Sequence, residues 1–339
     1  MPNRKTLTRA LFIAWFGFSL LGYTQPAFSG CDVFLAPSSE QTEIWTDQAR
    51  HLISQRAEAF DRDEGATEVF RTLKNKIRSS ENPAVVKIRN VFEREQYDFA
   101  IAVPADVRES VMKDGFENHH STGTSNGSPG SAGRKRAEAL LLGQKKNAYE
   151  TLDHHVMPKY GFLKPSPQSG LDFRYKPLSQ YGEDTWVFKK DALKDRVTYS
   201  FGDSLEHGIR PQGHWDEKLL PWAEHEFLIP YLLDETTPHA PFSDIPYGTN
   251  QRFRPDLEKY LKNDRRPRNQ KGAELFPEVR YSAGGRYIEM QFFGPITLDH
   301  VEAFEFSTTP PSGDFLQELL RRKIEIRKVT GNKALPWSP

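Results

Sequence analysis

Between residues 42 and 79, Ile44, Ala49, Ile53, Ala57 and Phe60, then Val69, Phe70, Leu73 and Ile77, recur at near-helical spacing among charged residues. The polar run Asp61-Arg62-Asp63-Glu64-Gly65 separates the two groups. Apolar positions three and four apart make one stripe of a helix, so the pattern predicts two or three amphipathic helices, continued over 84–92. After a helical return at 134–142, the pattern changes to short apolar runs joined by Pro-rich connections, at 160–163, 185–188, 196–201, 227–232 and 286–293. Runs of that length with aromatic and β-branched residues predict strands. Helices first and strands later predict an α+β fold, with a helical region over 30–110 and a sheet domain over 111–339.

The last of these runs carries chemistry. Period-2 alternation puts Tyr287, Glu289 and Gln291 on one face and Ile288, Met290 and Phe292 on the other. Two polar side chains two residues apart are separated by about 7 Å, close enough to reach one small ligand. A carboxylate beneath a cationic sugar stabilises charge that develops only in the transition state. A solvated edge-strand face would show the same alternation.

At 339 residues with 37% hydrophobic content, the chain is long enough to bury a sizeable core. Its first residues belong to a different class of segment. Arg4, Lys5 and Arg9 precede an unbroken apolar run over 10–21, too short to span a bilayer, and Ala27 and Ser29 occupy the small-residue positions of a cleavage site. Residues 1–29 therefore predict an export signal and a secreted or periplasmic product. A competing reading takes Phe28-Ser29-Gly30-Cys31 as a lipoprotein box, with Cys31, the single cysteine of the chain, carrying a lipid at the cell envelope. One cysteine forms no internal disulfide, so stability in an oxidising compartment must come from burial. Removing the signal leaves 43 basic against 46 acidic residues, a net charge of about −3, which points to no nucleic-acid or anionic-membrane partner.

Several chemistries find no motif. The Gly/Ser/Asn-rich stretch over 115–133 lacks the Gly-Lys-Ser/Thr of a phosphate loop, and no strand-bound G-x-G-x-x-G and no H-E-x-x-H occurs. A zinc hydrolase built on His214, His225 and a distant carboxylate is an alternative reading. Glu224-His225-Glu226 spells the E-x-E of many arginine-directed transferases, in a setting less complete than that of Glu289.

Three segments in order, MPKYGFLKP, YGEDTWVFKKDALKDRVTYSFGDSL and RYIEMQFFGPITLDHVEAF, resemble the core of the ADP-ribosyltransferase superfamily. The likeness is to a bacterial and phage branch with R-P-x-Y-G, R-x-T-x-x-x-G-D-S and Y-x-E-x-Q-x-x-G motifs. Upstream, GFENHHSTGTSNG, Arg136-Ala137-Glu138 and Tyr149 look like the same branch's loop and helix. The resemblance implies a split antiparallel sheet that clamps NAD as a substrate, needs no metal, and passes ADP-ribose to a protein, a small molecule or water, as a secreted effector or toxin would. It makes Glu289 the carboxylate facing the oxocarbenium ion, with Gln291 assisting. It places Tyr160 and Gly161 on the first core strand, the glycine letting backbone approach the nicotinamide amide. Arg196 would hold a phosphate, and the Thr198 and Ser204 hydroxyls would hold ribose or neighbouring side chains. The chain departs from the branch at Met157, where the motif has Arg. A thioether cannot replace a bidentate donor, so Arg174, Arg196 or His155 would have to substitute, or the protein would bind NAD without turning it over.

Overall fold

A computed structural model describes residues 37–62, 64–122, 131–166, 168–169, 182–201, 204, 219–235, 275, 288–330 and 333–338. The expected export signal and Cys31 lie outside these residues, as do Arg174, Gly202, Asp203, His214, Arg286 and Tyr287. Three helices open the described chain: α1 (Ser39–Arg62), α2 (Glu64–Ser79) and α3 (Pro83–Glu93). Pro83 stands at the first helical position of α3, where no backbone N–H is needed, and the Asn82 side chain accepts from Ala84 N at 3.0 Å. The apolar stripes face inward, with Trp45, Ala49, Leu52, Ile53 and Phe60 of α1 and Phe70, Leu73 and Ile77 of α2 all buried.

The helical segment ends sooner than expected. Tyr97–Val103 is a strand, β1, near the middle of the sheet, inside the region assigned to helices. Tyr97, Phe99, Ile101 and Val103 alternate with smaller or polar residues, the period of a strand. Short helices follow, including α4 (Arg108–Asp114), α5 (His119–Thr122), α6 (Ser131–Leu141) and α7 (Lys146–Glu150). Then come β2 (Lys159–Pro165), β3 (Asp184–Phe188), β4 (Val197–Phe201) and β5 (Leu220–Pro221). Residues 227–232, read as a strand, instead enter helix α8 (Leu228–Glu235). A continuous apolar run carries no period to separate the two states. The chain closes with β6 (Ile288–Phe292), β7 (Val301–Phe306), α9 (Gly313–Arg321), β8 (Glu325–Thr330) and β9 (Lys333–Pro336).

Helices and sheet together make an α+β fold. The described strands form one ladder in the order β5-β4-β6-β2-β1-β3-β7-β8-β9, mixed rather than wholly antiparallel because β7 and β8 run parallel. One face is apolar: Phe99, Ile101, Trp186, Phe188, Met290, Phe292 and Phe304 join Leu73, Ile88, Val91 and Leu232 in the main core. A second cluster lies between α1 and the α6–α7 pair, with Trp45, Leu52, Ala139, Leu142, Tyr149, Met157 and Phe293.

Candidate active site

The other face of the sheet is polar and nevertheless buried. Register sets Thr198, Gln291 and Tyr160 in one row across β4, β6 and β2, and Ser200, Glu289 and Phe162 in the next. Cross-strand partners share a face, so the six side chains stand together. Thr198, Ser200 and Gln291 are fully buried and Glu289 is 5% exposed, which excludes a solvated edge strand.

Hydrogen bonds fix this group. Thr198 Oγ1 donates to Gln291 Oε1 at 2.9 Å, which turns the amide so that Nε2 donates to Glu289 Oε1 at 2.9 Å and to Ser200 Oγ at 3.2 Å. A carboxylate only accepts, so this orientation of the amide is the one the chemistry permits. Three residues beyond β4 in the chain, Ser204 N donates to the same Glu289 oxygen at 3.2 Å, and Ser204 Oγ donates to it as well. Ser204 thus lies against β6 and holds the carboxylate.

Tyr160 joins this group to a second carboxylate. Its hydroxyl donates to Glu138 Oε1 at 2.6 Å, while Tyr149 Oη and His120 Nε2 each lie 2.8 Å from Glu138 Oε2. Glu138 is fully buried on α6. Burial first, and the Glu138 charge second, push both phenols well above their ordinary range, so both remain donors. Arg134, one turn before Glu138, lies 3.6 Å from its carboxylate and places its guanidinium 5.0 Å from the centre of the Tyr160 ring. His120 belongs to the GFENHHSTGTSNG segment, whereas no motif marks Arg134. The signal for Arg134 is spacing, since it stands four residues before Glu138 on one helix.

Two expected residues do other work. The side chain that Gly161 lacks would point into the core, where a Cβ would stand 2.1 Å from Ala100 O and 2.7 Å from Phe292 Cε2. Glycine is required there for packing, and that side has no room for a ligand. Arg196 is buried, and its Nη1 donates to the carbonyls of Phe293 at 3.0 Å and Pro295 at 2.7 Å, with Nη2 2.9 Å from His300 Nε2. The guanidinium clamps the loop after β6 instead of facing the Glu289 group. Met157 sits in the apolar cluster beside Trp45 and Phe293, fully buried. Of its named substitutes, Arg196 is so engaged and His155 stacks on Trp45 with ring centres 3.8 Å apart.

The Arg196 clamp makes a pH prediction. A guanidinium only donates, so His300 Nε2 must keep its lone pair. Burial, then the Arg196 charge, lowers the His300 imidazole from 6.5 to about 4. Between these values the unfolded chain takes up a proton that the folded chain does not. The contribution is therefore complete above about 6.5 and lost as pH falls through about 4. It is worth about 3 kcal/mol at most. Urea midpoints at pH 7, 5.5 and 4.5 should fall more steeply for the wild-type chain than for His300→Gln; parallel declines would refute the assignment.

The rival groups lie elsewhere. Glu224, His225 and Glu226 occupy a 3-10 turn under the apolar face, where the Tyr199 hydroxyl donates to Glu224 O at 2.6 Å. Glu224 pairs with Lys74 at 2.5 Å and Glu226 with Arg78 at 2.9 Å. His225 packs on Trp222 with ring centres 5.2 Å apart, and its proposed co-ligand His214 is outside the described residues. Among the described residues, the His/Cys/Asp/Glu group with metal-ligand spacing is Asp153-His154-His155 instead. No family model, no curated protein and no solved structure matches the chain.

Proposed function

We propose that the chain is an ADP-ribosyltransferase-like enzyme, exported by residues 1–29, that cleaves the bond between nicotinamide and ribose in NAD and passes ADP-ribose to an acceptor. The observation that carries this reading is the meeting of two sequence segments at one carboxylate, with the third in the adjoining row. Ser204 from the R-x-T-x-x-x-G-D-S-like segment and Gln291 from the Y-x-E-x-Q-like segment both bond Glu289, and Tyr160 from the first segment stands in the adjoining row. In this reading nicotinamide leaves with the electron pair of the C–N bond, and Glu289 lies against the positive charge left on the ribosyl ring. Ser204 and Gln291, the latter held by Thr198 and Ser200, align the carboxylate before the reaction, so little reorganisation accompanies the charge as it forms.

A second reading, NAD binding without turnover, draws on two observations: Met157 lies in an apolar cluster and Arg196 serves backbone carbonyls. Incubation of purified protein with NAD labelled in the nicotinamide ring separates the two. Release of free nicotinamide is the expected result. A thermal shift with NAD but no release would favour the binding protein, and neither effect would end both readings.

A further inference from the structure

The Glu138 group contains more than a support for Tyr160 needs. As a carboxylate Glu138 offers only lone pairs, so His120 must supply the Nε2–H of their 2.8 Å contact and carry its own lone pair on Nδ1. The His120 side chain is 2% exposed, and among the described residues Nδ1 has no hydrogen-bond partner. A buried acceptor without a partner is destabilising, and its retention calls for an explanation in function.

The imidazole is also held in place from its backbone. Asn118 Oδ1 accepts from His120 N at 2.9 Å and Ser121 N at 3.2 Å. Asn118 Nδ2 donates to the carbonyls of His154 at 2.6 Å and Met157 at 3.2 Å, just before β2. The turn carrying His120 is therefore tied to the strand carrying Tyr160. An imidazole oriented by a carboxylate through one nitrogen, with the other nitrogen unpaired among the described residues, has the parts of a general base. Glu138 links it through one phenol to the row that contains Gln291.

We propose that His120 is the general base of the transfer step, for an acceptor bearing an O–H or N–H group. The proposal rests on the NAD reading above. The acceptor's lone pair forms the new bond to the ribosyl carbon from which nicotinamide has departed, and the acceptor proton passes to Nδ1. The resulting imidazolium is balanced by Glu138 and returns its proton to solvent. Glu289 and His120 then divide the work, one facing the cation and the other receiving the proton.

Azide tests this division, because it attacks as an anion and has no proton to give up. With water as acceptor, His120→Gln, whose amide N–H still reaches Glu138, should turn over NAD about 100-fold more slowly than wild type. Added azide should restore the rate and yield ADP-ribosyl azide, whereas Glu289→Gln should not respond. Wild-type turnover in His120→Gln, or a loss that azide leaves unchanged in a protein with a wild-type melting midpoint, would overturn the proposal. His120→Ala serves as the second variant, with the same expectation, and failure of both to fold would assign His120 to structure alone. No nicotinamide release from wild type would remove the NAD reading and this base with it. Equal release from wild type and His120→Gln would remove only the base.

Discussion

Glu289→Gln is expected to reduce nicotinamide release from NAD by about 10³-fold while leaving the melting midpoint and NAD-induced stabilisation nearly unchanged. The substitution preserves shape and an acceptor oxygen for the two Ser204 donors, but removes the negative charge. In a buried site that charge is little screened, and it meets a cation that exists only along the reaction path. Turnover should therefore collapse while ground-state binding persists. The matched control is Glu224→Gln: its carboxylate pairs with Lys74 on the other side of the sheet, so turnover should stay at the wild-type rate. Chromatographic measurement of nicotinamide reads both variants, and full turnover by Glu289→Gln together with loss in Glu224→Gln would show that the E-x-E turn carries the chemistry.

The part of this site legible in the sequence is the part written in a strand's period. Alternation over residues 286–294 separates Glu289 and Gln291 from Met290 and Phe292, and register then adds Thr198 and Tyr160 to the same row. β1 is equally legible, with Tyr97, Phe99 and Ile101 on one face, but it follows a helical pattern with no break strong enough to separate the two. What the sequence could not convey is direction in space. Nothing local indicates that Ser204 returns over β6, that the missing side chain of Gly161 faces Ala100 O, or that Arg196 turns toward the carbonyls of Phe293 and Pro295. Each is decided by an element far away in the chain, whereas His120, Tyr149 and Tyr160 gather around Glu138 from neighbouring segments that carry no shared period.

That gathering makes Glu138 the side chain whose removal should most damage the fold. Glu138→Leu fills a similar volume but withdraws the acceptor from two phenols and an imidazole, with Tyr149 fully buried. It also takes away a carboxylate 3.6 Å from Arg134. Breaking one side of a buried charged network costs about 3–5 kcal/mol, because the remaining polar groups stay desolvated. For a chain of this size that should lower the urea midpoint well below that of wild type. The cause separates from simple packing loss in a double variant. Tyr149→Phe removes one stranded hydroxyl, so Glu138→Leu combined with Tyr149→Phe should be more stable than Glu138→Leu alone, although Tyr149→Phe destabilises the wild-type chain. Additive losses in that cycle would mean that Glu138 and Tyr149 act independently, and the network between α6 and β2 would then not hold the first strand of the site in place.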